Sequence, residues 1–221
     1  MIDWRREYQA YLFDLDGTLI DTAPDINVAL NHSLEHFDFQ PVSESHTRHW
    51  IGYGGRVLLQ QALEHQGFDG DIEAQLDTML QPFLDYYSEH HAAVSTIYPT
   101  VEETLARLRA RGAKLAVVTN KISRLSIQIL DTLNLTSYFD LIVCGDTTPT
   151  PKPDPAPVRY CLDRFDIAPQ STLFVGDSIT DVSAARAAGT AIVCVRDGYN
   201  HGDDVATLDV DGVIDLFADI P

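Results

Sequence analysis

Tyr11-Leu12-Phe13-Asp14-Leu15-Asp16-Gly17-Thr18-Leu19 is the stretch on which the reading of this chain turns. Three apolar residues run into a carboxylate, a second carboxylate follows two residues later, and Gly-Thr comes next. A buried strand that ends in two acids has a reason to end there, because charge is costly inside a core unless something pairs with it. Carboxylates this close repel, so one holds a proton or a cation sits among them. The economical reading is a Mg²⁺ site at the carboxyl end of a strand, with Asp14 as nucleophile and Asp16 as proton carrier. The plainer alternative is an Asp-rich turn, since Asp and Gly are common turn residues.

The bulk properties frame that choice. At 221 residues the chain has room for one large α/β domain, or a domain with a smaller insert. Its apolar fraction of 45% is ordinary for a globular protein. No apolar run approaches the roughly 18 residues that span a bilayer, so no membrane partner is expected. Met1-Ile2-Asp3-Trp4-Arg5-Arg6-Glu7 carries two arginines but no apolar stretch after them, which reads as no signal peptide. Cys144, Cys161 and Cys194 are odd in number, and Cys144 and Cys194 lie in apolar runs. They read as small buried hydrophobes of a cytoplasmic protein rather than a disulfide framework. A net charge of −18 argues against nucleic acid, whose phosphates need a basic footprint. If the substrate is an anion, a cation and a few lysines must reverse the field inside one cleft.

Beyond residue 95, strand-like and helix-like segments alternate, which predicts a parallel sheet flanked by helices. Strands are expected at Tyr11–Asp14, Lys114–Thr119, Leu141–Cys144, Thr172–Gly176 and Ala191–Val195. They are short, rich in Val, Leu and Ile, and lack alternation, as strands covered on both faces do. Thr100 and Glu103 have the spacing of a capping box, with Val101, Leu105 and Leu108 on one face and Gly112 as the stop. Further helices are expected at about Ser123–Leu133, Ala156–Phe165 and Thr180–Ala188, the last ended by Gly189. Residues 21–95 read as an all-helical insert. One stripe is Ile26, Leu30, Leu34 and Phe37, a second Val57, Leu58 and Ala62, and a third runs from Ile72 to Tyr87. Hinges are expected near Asp21–Pro24 and Ala92–Pro99, and an insert beside the end of the first strand can act as a lid.

Three other segments carry chemistry. In Val117-Val118-Thr119-Asn120-Lys121 a hydroxyl ends an apolar strand and can donate to a phosphate oxygen, although Thr and Asn also cap helices. In Thr150-Pro151-Lys152-Pro153-Asp154-Pro155 the prolines restrict the backbone around one lysine, which suggests a placed charge. In Gly176-Asp177-Ser178-Ile179-Thr180-Asp181 a second Asp follows at i+4 as a helix begins, which aims both carboxylates to one side. Asp177 would complete the metal site and Asp181 would stand behind it. The four segments together put Asp14, Asp16, Thr119, Lys152, Asp177 and Asp181 at carboxyl ends of strands, the edge where open parallel sheets bind ligands.

All four segments, in this order, resemble the motifs of the haloacid dehalogenase superfamily of phosphatases, and the resemblance covers essentially the whole chain. Phe13–Asp25, Val118-Thr119-Asn120-Lys121, Lys152-Pro153-Asp154-Pro155 and Trp50-Ile51-Gly52-Tyr53-Gly54-Gly55-Arg56 are similar to the branch that hydrolyses 2-phosphoglycolate. The resemblance implies a Rossmann-like α/β core, residues 1–20 and 96–221, and a helical cap, residues 21–95. It implies that Asp14 attacks phosphorus to form an aspartyl-phosphate. Asp16 would protonate the leaving alkoxide and then deprotonate water. Mg²⁺ would be held by the Asp14 carboxylate, the Asp16 carbonyl and the Asp177 carboxylate. Thr119, Asn120 and Lys152 would bind the phosphoryl group. In the cap, Arg56 could pair with a substrate carboxylate through its planar fork. Lys121 could face the substrate too.

The expected partner is therefore a small phosphorylated metabolite, met by a monomer or homodimer. Other readings are a phosphatase for a sugar phosphate or pyrophosphate, a phosphomutase on the same core, and a binding module without turnover. A dehalogenase is disfavoured, because Asp16 supplies the proton transfer that phosphate esters require.

Overall fold

The computed structural model describes residues 3–221. Met1 and Ile2, the start of the stretch read above as no signal peptide, lie outside the described residues. In chain order the strands are β1 (Ala10–Phe13), β2 (Ile20–Asp21), β3 (Thr96–Ile97), β4 (Lys114–Val118), β5 (Leu141–Val143), β6 (Thr172–Gly176), β7 (Ala191–Val195) and β8 (Gly212–Ile214). The helices are α1 (Ala23–His36), α2 (Glu44–Trp50), α3 (Gly55–His65), α4 (Ile72–Glu89), α5 (Val101–Ala110), α6 (Ser123–Thr132), α7 (Ala156–Phe165) and α8 (Ile179–Ala188).

One sheet, in the order β5-β4-β1-β6-β7-β8, is parallel throughout. β1 is central, with Phe13 opposite both Val117 and Val175. Alternate residues of these strands feed two cores. Tyr11, Phe13, Val117 and Val175 pack with Leu105, Leu108, Leu125 and Ile129 of α5 and α6. Leu12, Val118, Phe174 and Ile192 pack with Val158, Cys161, Val182 and Ala185 of α7 and α8. Both faces are therefore covered, which is why these strands read as continuous apolar runs. The three cysteines are free and buried, as expected. Among the described residues, no helix is long and apolar enough to cross a membrane.

Four helices, α1 to α4, stand between β2 and β3. Three answer to the expected stripes. The short α2 was not anticipated, because Glu44–Trp50 is largely polar and buries only Thr47. It begins where the Ser43 hydroxyl accepts the N–H of His46 at 3.3 Å. Also unanticipated were the edge strand β8 and the two-residue pair β2–β3, too short to leave a pattern. One expectation is corrected. Thr100 does not form a capping box with Glu103, because its backbone lies at φ +64 and its side chain does not cap the helix. Its hydroxyl accepts the N–H of Ala218 at 3.0 Å instead.

The chain enters and leaves the helical insert through the antiparallel pair β2–β3, with Asp21 opposite Thr96. Buried Asp25, in the first turn of α1, accepts the N–H of Ser95 at 2.8 Å, that of Val94, and the Ser95 hydroxyl. This carboxylate fastens the returning chain to the outgoing one. Asp25→Ala would leave buried donors without an acceptor, and is expected to lower unfolding free energy by about 2–4 kcal/mol. Urea denaturation checks this, and an unchanged midpoint would remove Asp25 as the fastener.

Candidate active site

Loops at the carboxyl ends of the central strands bring the candidate residues together. Asp14 and Asp16 follow β1, Thr119 follows β4, Lys152 precedes α7, Asp177 follows β6, and Asp181 lies in the first turn of α8. The Asp14 N–H still reaches the Val175 carbonyl at 3.0 Å, so its position is continuous with the sheet.

Asp14, Asp177 and Asp181 are all buried, and each offers an oxygen within 4.8 Å of the other two. Lys152, also buried, reaches into this group. Its Nζ lies 2.8 Å from Asp14 Oδ1 and donates to Asp181 Oδ1 at 2.6 Å and to the Val118 carbonyl at 2.8 Å. Burial pulls the Lys152 ammonium down, but Asp14 and Asp181 outweigh it, so Lys152 stays charged. Burial, with Asp181 and Asp16 beside it, outweighs the pull of Lys152 and leaves the Asp14 carboxyl raised to about 7. The Asp177 carboxyl is raised by burial and then by Asp181 and Asp14. Asp181 has its second oxygen fully engaged. Asp181 Oδ2 accepts the N–H groups of Asp177 and Ser178, both at 3.1 Å, and the Ser178 hydroxyl at 2.9 Å. The Ser178–Asp181 capping box thus starts α8 and orients Asp181 toward Lys152.

With all three acids ionised, one lysine leaves two negative charges in a buried group. Hard oxygen donors with that surplus suit a divalent cation such as Mg²⁺ or Ca²⁺. The arrangement therefore fits a bound metal ion, with Asp14 and Asp177 as ligands and Asp181 already committed to Lys152 and backbone.

Asp16 faces a different neighbourhood. Its Oδ1 accepts the Thr22 hydroxyl at 2.6 Å and lies 3.0 Å from Lys121 Nζ. Lys121 is buried, and its Nζ also donates to the Tyr87 hydroxyl at 3.2 Å. Burial opposes the Lys121 charge, yet Asp16 and Tyr87 outweigh it and keep the ammonium protonated. These groups open onto a pocket of about 560 Å³, part of it continuous with solvent. The sheet edge supplies Asp14, Asp16, Thr119, Asn120 and Lys121, and the insert supplies Ile26, Ile51, Leu58, Phe83, Leu84 and Tyr87. Lys121 is the one cation that lines it among the described residues.

Thr119 is buried at the pocket floor. Its Oγ1 accepts the Lys121 N–H at 3.1 Å, which leaves the hydroxyl proton to donate. Asn120 is committed elsewhere. Its amide donates to the carbonyls of Gly52 and Lys152, each at 2.8 Å, and its carbonyl accepts the Lys152 N–H at 2.9 Å. It joins the insert to the Lys152 loop, and its side chain positions other groups. Arg56 is a correction. It pairs with Glu73 at 2.5 Å and Asp77 at 2.8 Å on the exposed side of α3 and α4, and does not line the pocket. Gly52, Gly54 and Gly55 do line it. The turn of the helix that brings Gly55 inward carries the next side chain outward.

Several contributors were not read from sequence. The Thr18 hydroxyl donates to Asp177 Oδ1 at 3.0 Å, and the Tyr199 N–H donates to Asp177 Oδ2 at 2.7 Å. Thr18 sits in the quoted stretch and was open to inference; Tyr199 lies far along the chain and was not. Gly17 must be glycine, because its φ is +83 and a Cβ there would stand 2.5 Å from Asp177 Oδ2.

Comparisons with known proteins agree with this geometry. The family model described as haloacid dehalogenase-like hydrolase matches residues 11–195. The chain is 37% identical over 216 residues to the phosphoglycolate phosphatase of Nitrosococcus oceani, covering 97% of this chain and 96% of that one. It is 41% identical over 213 residues to phosphoglycolate phosphatase 1 of Pseudomonas aeruginosa, covering 93% of this chain and 77% of that one. The crystal structure of a predicted phosphoglycolate phosphatase from Haemophilus somnus 129PT superposes with a TM-score of 0.92 at 36% identity, covering 97% of each chain. Three acids from the ends of β1 and β6 and from α8 gathered around one buried lysine, in a chain matched this fully, leave one conclusion: the protein belongs to the haloacid dehalogenase-like hydrolases.

Proposed function

We propose that the protein hydrolyses a small phosphorylated acid, 2-phosphoglycolate, to glycolate and phosphate, with Mg²⁺ as its metal ion. The observation that carries the reading is the pocket itself: a buried nucleophile and a half-buried proton carrier at one end, and a single fixed lysine among mostly apolar walls. Relatives bearing the name phosphoglycolate phosphatase support the substrate.

The chain's own groups account for the steps. The Asp14 carboxylate attacks phosphorus, and the P–O bond to the substrate alkoxide breaks. Asp16 donates a proton to that alkoxide. A water then attacks the aspartyl-phosphate, giving its proton to Asp16, and phosphate leaves with Asp14 regenerated. Lys152 commits two N–H groups to Asp181 and Val118, which leaves its charge and one proton on the Asp14 side, where phosphoryl oxygens would lie. The Thr119 hydroxyl would donate to the same oxygens. Mg²⁺ held by Asp14, the Asp16 carbonyl and Asp177 would supply charge neutralisation between two anions. Lys121 replaces Arg56 as the candidate reader of the substrate carboxylate, through a charge-assisted contact in a low-dielectric pocket. Residues 1–20 and 96–221 would act as the catalytic core and residues 21–95 as the lid, whose apolar residues exclude water.

Phosphate release across 2-phosphoglycolate, sugar phosphates, pyrophosphate and a chromogenic ester is expected to favour 2-phosphoglycolate with Mg²⁺, vanish in EDTA, and vanish in Asp14→Asn. Turnover favouring another ester would discard the substrate and keep the mechanism. Residual activity in Asp14→Asn would remove the nucleophile.

Lys121→Met is expected to lower kcat/KM for 2-phosphoglycolate by about 10–100-fold more than for p-nitrophenyl phosphate, the range of a charged hydrogen bond. Arg56→Ala should leave that ratio unchanged. Equal losses on both esters in Lys121→Met would mean that Lys121 serves Asp16 alone.

A further inference from the structure

Four consecutive residues after β7, Tyr199 to Gly202, touch the carboxylate cluster, the hinge and the helical insert at once. On the cluster side, the Tyr199 N–H donates to Asp177 Oδ2 at 2.7 Å. On the hinge side, the Tyr199 hydroxyl donates to Asp21 Oδ1 at 2.7 Å and accepts the N–H groups of Thr22 and Ala23, both at 2.9 Å. Asp21 in turn accepts from Arg48 of α2 at 2.9 Å, and the Arg48 guanidinium lies 5.3 Å from the centre of the Tyr199 ring. On the insert side, His201 Nδ1 lies 2.7 Å from the His49 carbonyl near the end of α2. The His201 ring stacks on Tyr53 with centroids 5.0 Å apart.

The loop is held in an unfavourable conformation to make these contacts. Asn200 lies at φ +28 and His201 at φ +53, the left-handed region that non-glycine residues rarely occupy. Asn200 is fixed there by the Ile179 N–H, 3.2 Å from its Oδ1, and by its own bond to the Asp203 carbonyl at 2.8 Å. Strain of this kind persists only where surrounding contacts over-determine it, and it gathers at functional sites. The packing is equally tight. A Cβ at Gly198 would collide with the Asp177 side chain, and one at Gly202 with the His49 ring. Three Cα steps of about 3.8 Å separate Tyr199 from Gly202. One short segment therefore links the contacts with Asp177, with residues 21–23 and with the end of α2.

We propose that Tyr199 is a positioning residue that couples cation binding at Asp177 to seating of the helical insert, with His201 as its contact on the insert side. The proposal rests on the reading of Asp177 as a cation ligand. Its consequence is reciprocal: cation binding seats the insert, and a seated insert tightens the cation.

Mg²⁺ binding is measured by calorimetry without substrate on the wild type, Tyr199→Phe and His201→Gly. Amide exchange at Ile51–Gly55 is followed with and without Mg²⁺. Tyr199→Phe keeps the N–H on Asp177 and loses the three hydroxyl contacts with residues 21–23. His201→Gly relieves the strained φ and loses both contacts with the insert. Each variant is expected to bind Mg²⁺ at least about 5-fold more weakly, the lower end of usual coupling. Mg²⁺ should slow exchange at Ile51–Gly55 in the wild type and not in the variants. Variants that melt like the wild type and bind Mg²⁺ as tightly would overturn the coupling and leave the proposed activity standing. A wild type that binds no Mg²⁺ would overturn both the cation reading and the coupling. Because no substrate is present, failure on 2-phosphoglycolate cannot be mistaken for either result.

Discussion

The structure depends on gathering three buried carboxylates and one buried ammonium at one point. Asp14 and Asp177 are held above the usual carboxylate range even with Lys152 among them, and Lys152 stays charged at this depth only because the acids surround it. Breaking either side leaves an uncompensated buried charge. Much of the local architecture serves to hold this balance. The N–H groups at the start of α8 receive Asp181, Thr18 and Tyr199 receive Asp177, and the Val118 carbonyl receives Lys152. The negative surplus that remains suits a hard dication and, through it, an anionic substrate on a chain of net charge −18.

The pocket beside this cluster is divided by chemistry. Its floor at the sheet edge is polar and holds the reacting groups, while its walls, from α1, α3 and α4, are mostly apolar. Lys121 stands between the two, tied to Asp16 on the core side and to Tyr87 on the insert side. Asn120 makes a second tie, from the Lys152 loop to Gly52. The loop from Tyr199 to Gly202 makes a third, through His201 on Tyr53 and the His49 carbonyl. The insert is thus fastened to the core beside the groups that hold charge, where its position can respond to what binds there.

How much of this could be read in advance varied with the length of the signal. Strands β1, β4, β5, β6 and β7 and the helices α5 to α8 were legible because burial on two faces, or on one stripe, leaves apolar runs or stripes. The pair β2–β3 has two residues per strand, too few for a period to be recognised. β8 lies at the sheet edge, and its Gly212-Val213-Ile214 is only partly buried and flanked by Asp211 and Asp215, so no apolar run marks it. The helix α2 was missed because its register is set by the Ser43 cap and by contacts with the core loop, while its own residues are largely polar. Thr100 misled because its spacing to Glu103 matched a capping box, whereas the backbone angle that turns the hydroxyl away has no sequence signature. Arg56 misled for a related reason: Gly54 and Gly55 do border the pocket, but helical geometry and the acids of α4 take the next side chain outward.

The parallel sheet, the helical insert, the strand ends that carry Asp14, Thr119 and Asp177 and the proline-flanked loop that carries Lys152 are written in the chain alone. Strand burial and the chemistry of acids at strand ends are local properties, written in contiguous residues. Only the tertiary structure decided which lysine faces the pocket, that Asn120 ties loops together, and that Tyr199 reaches both Asp177 and Asp21. Those assignments depend on the distance and angle between groups up to 178 residues apart. Such geometry is fixed when the sheet closes and the insert docks, and no stretch of neighbouring residues encodes it.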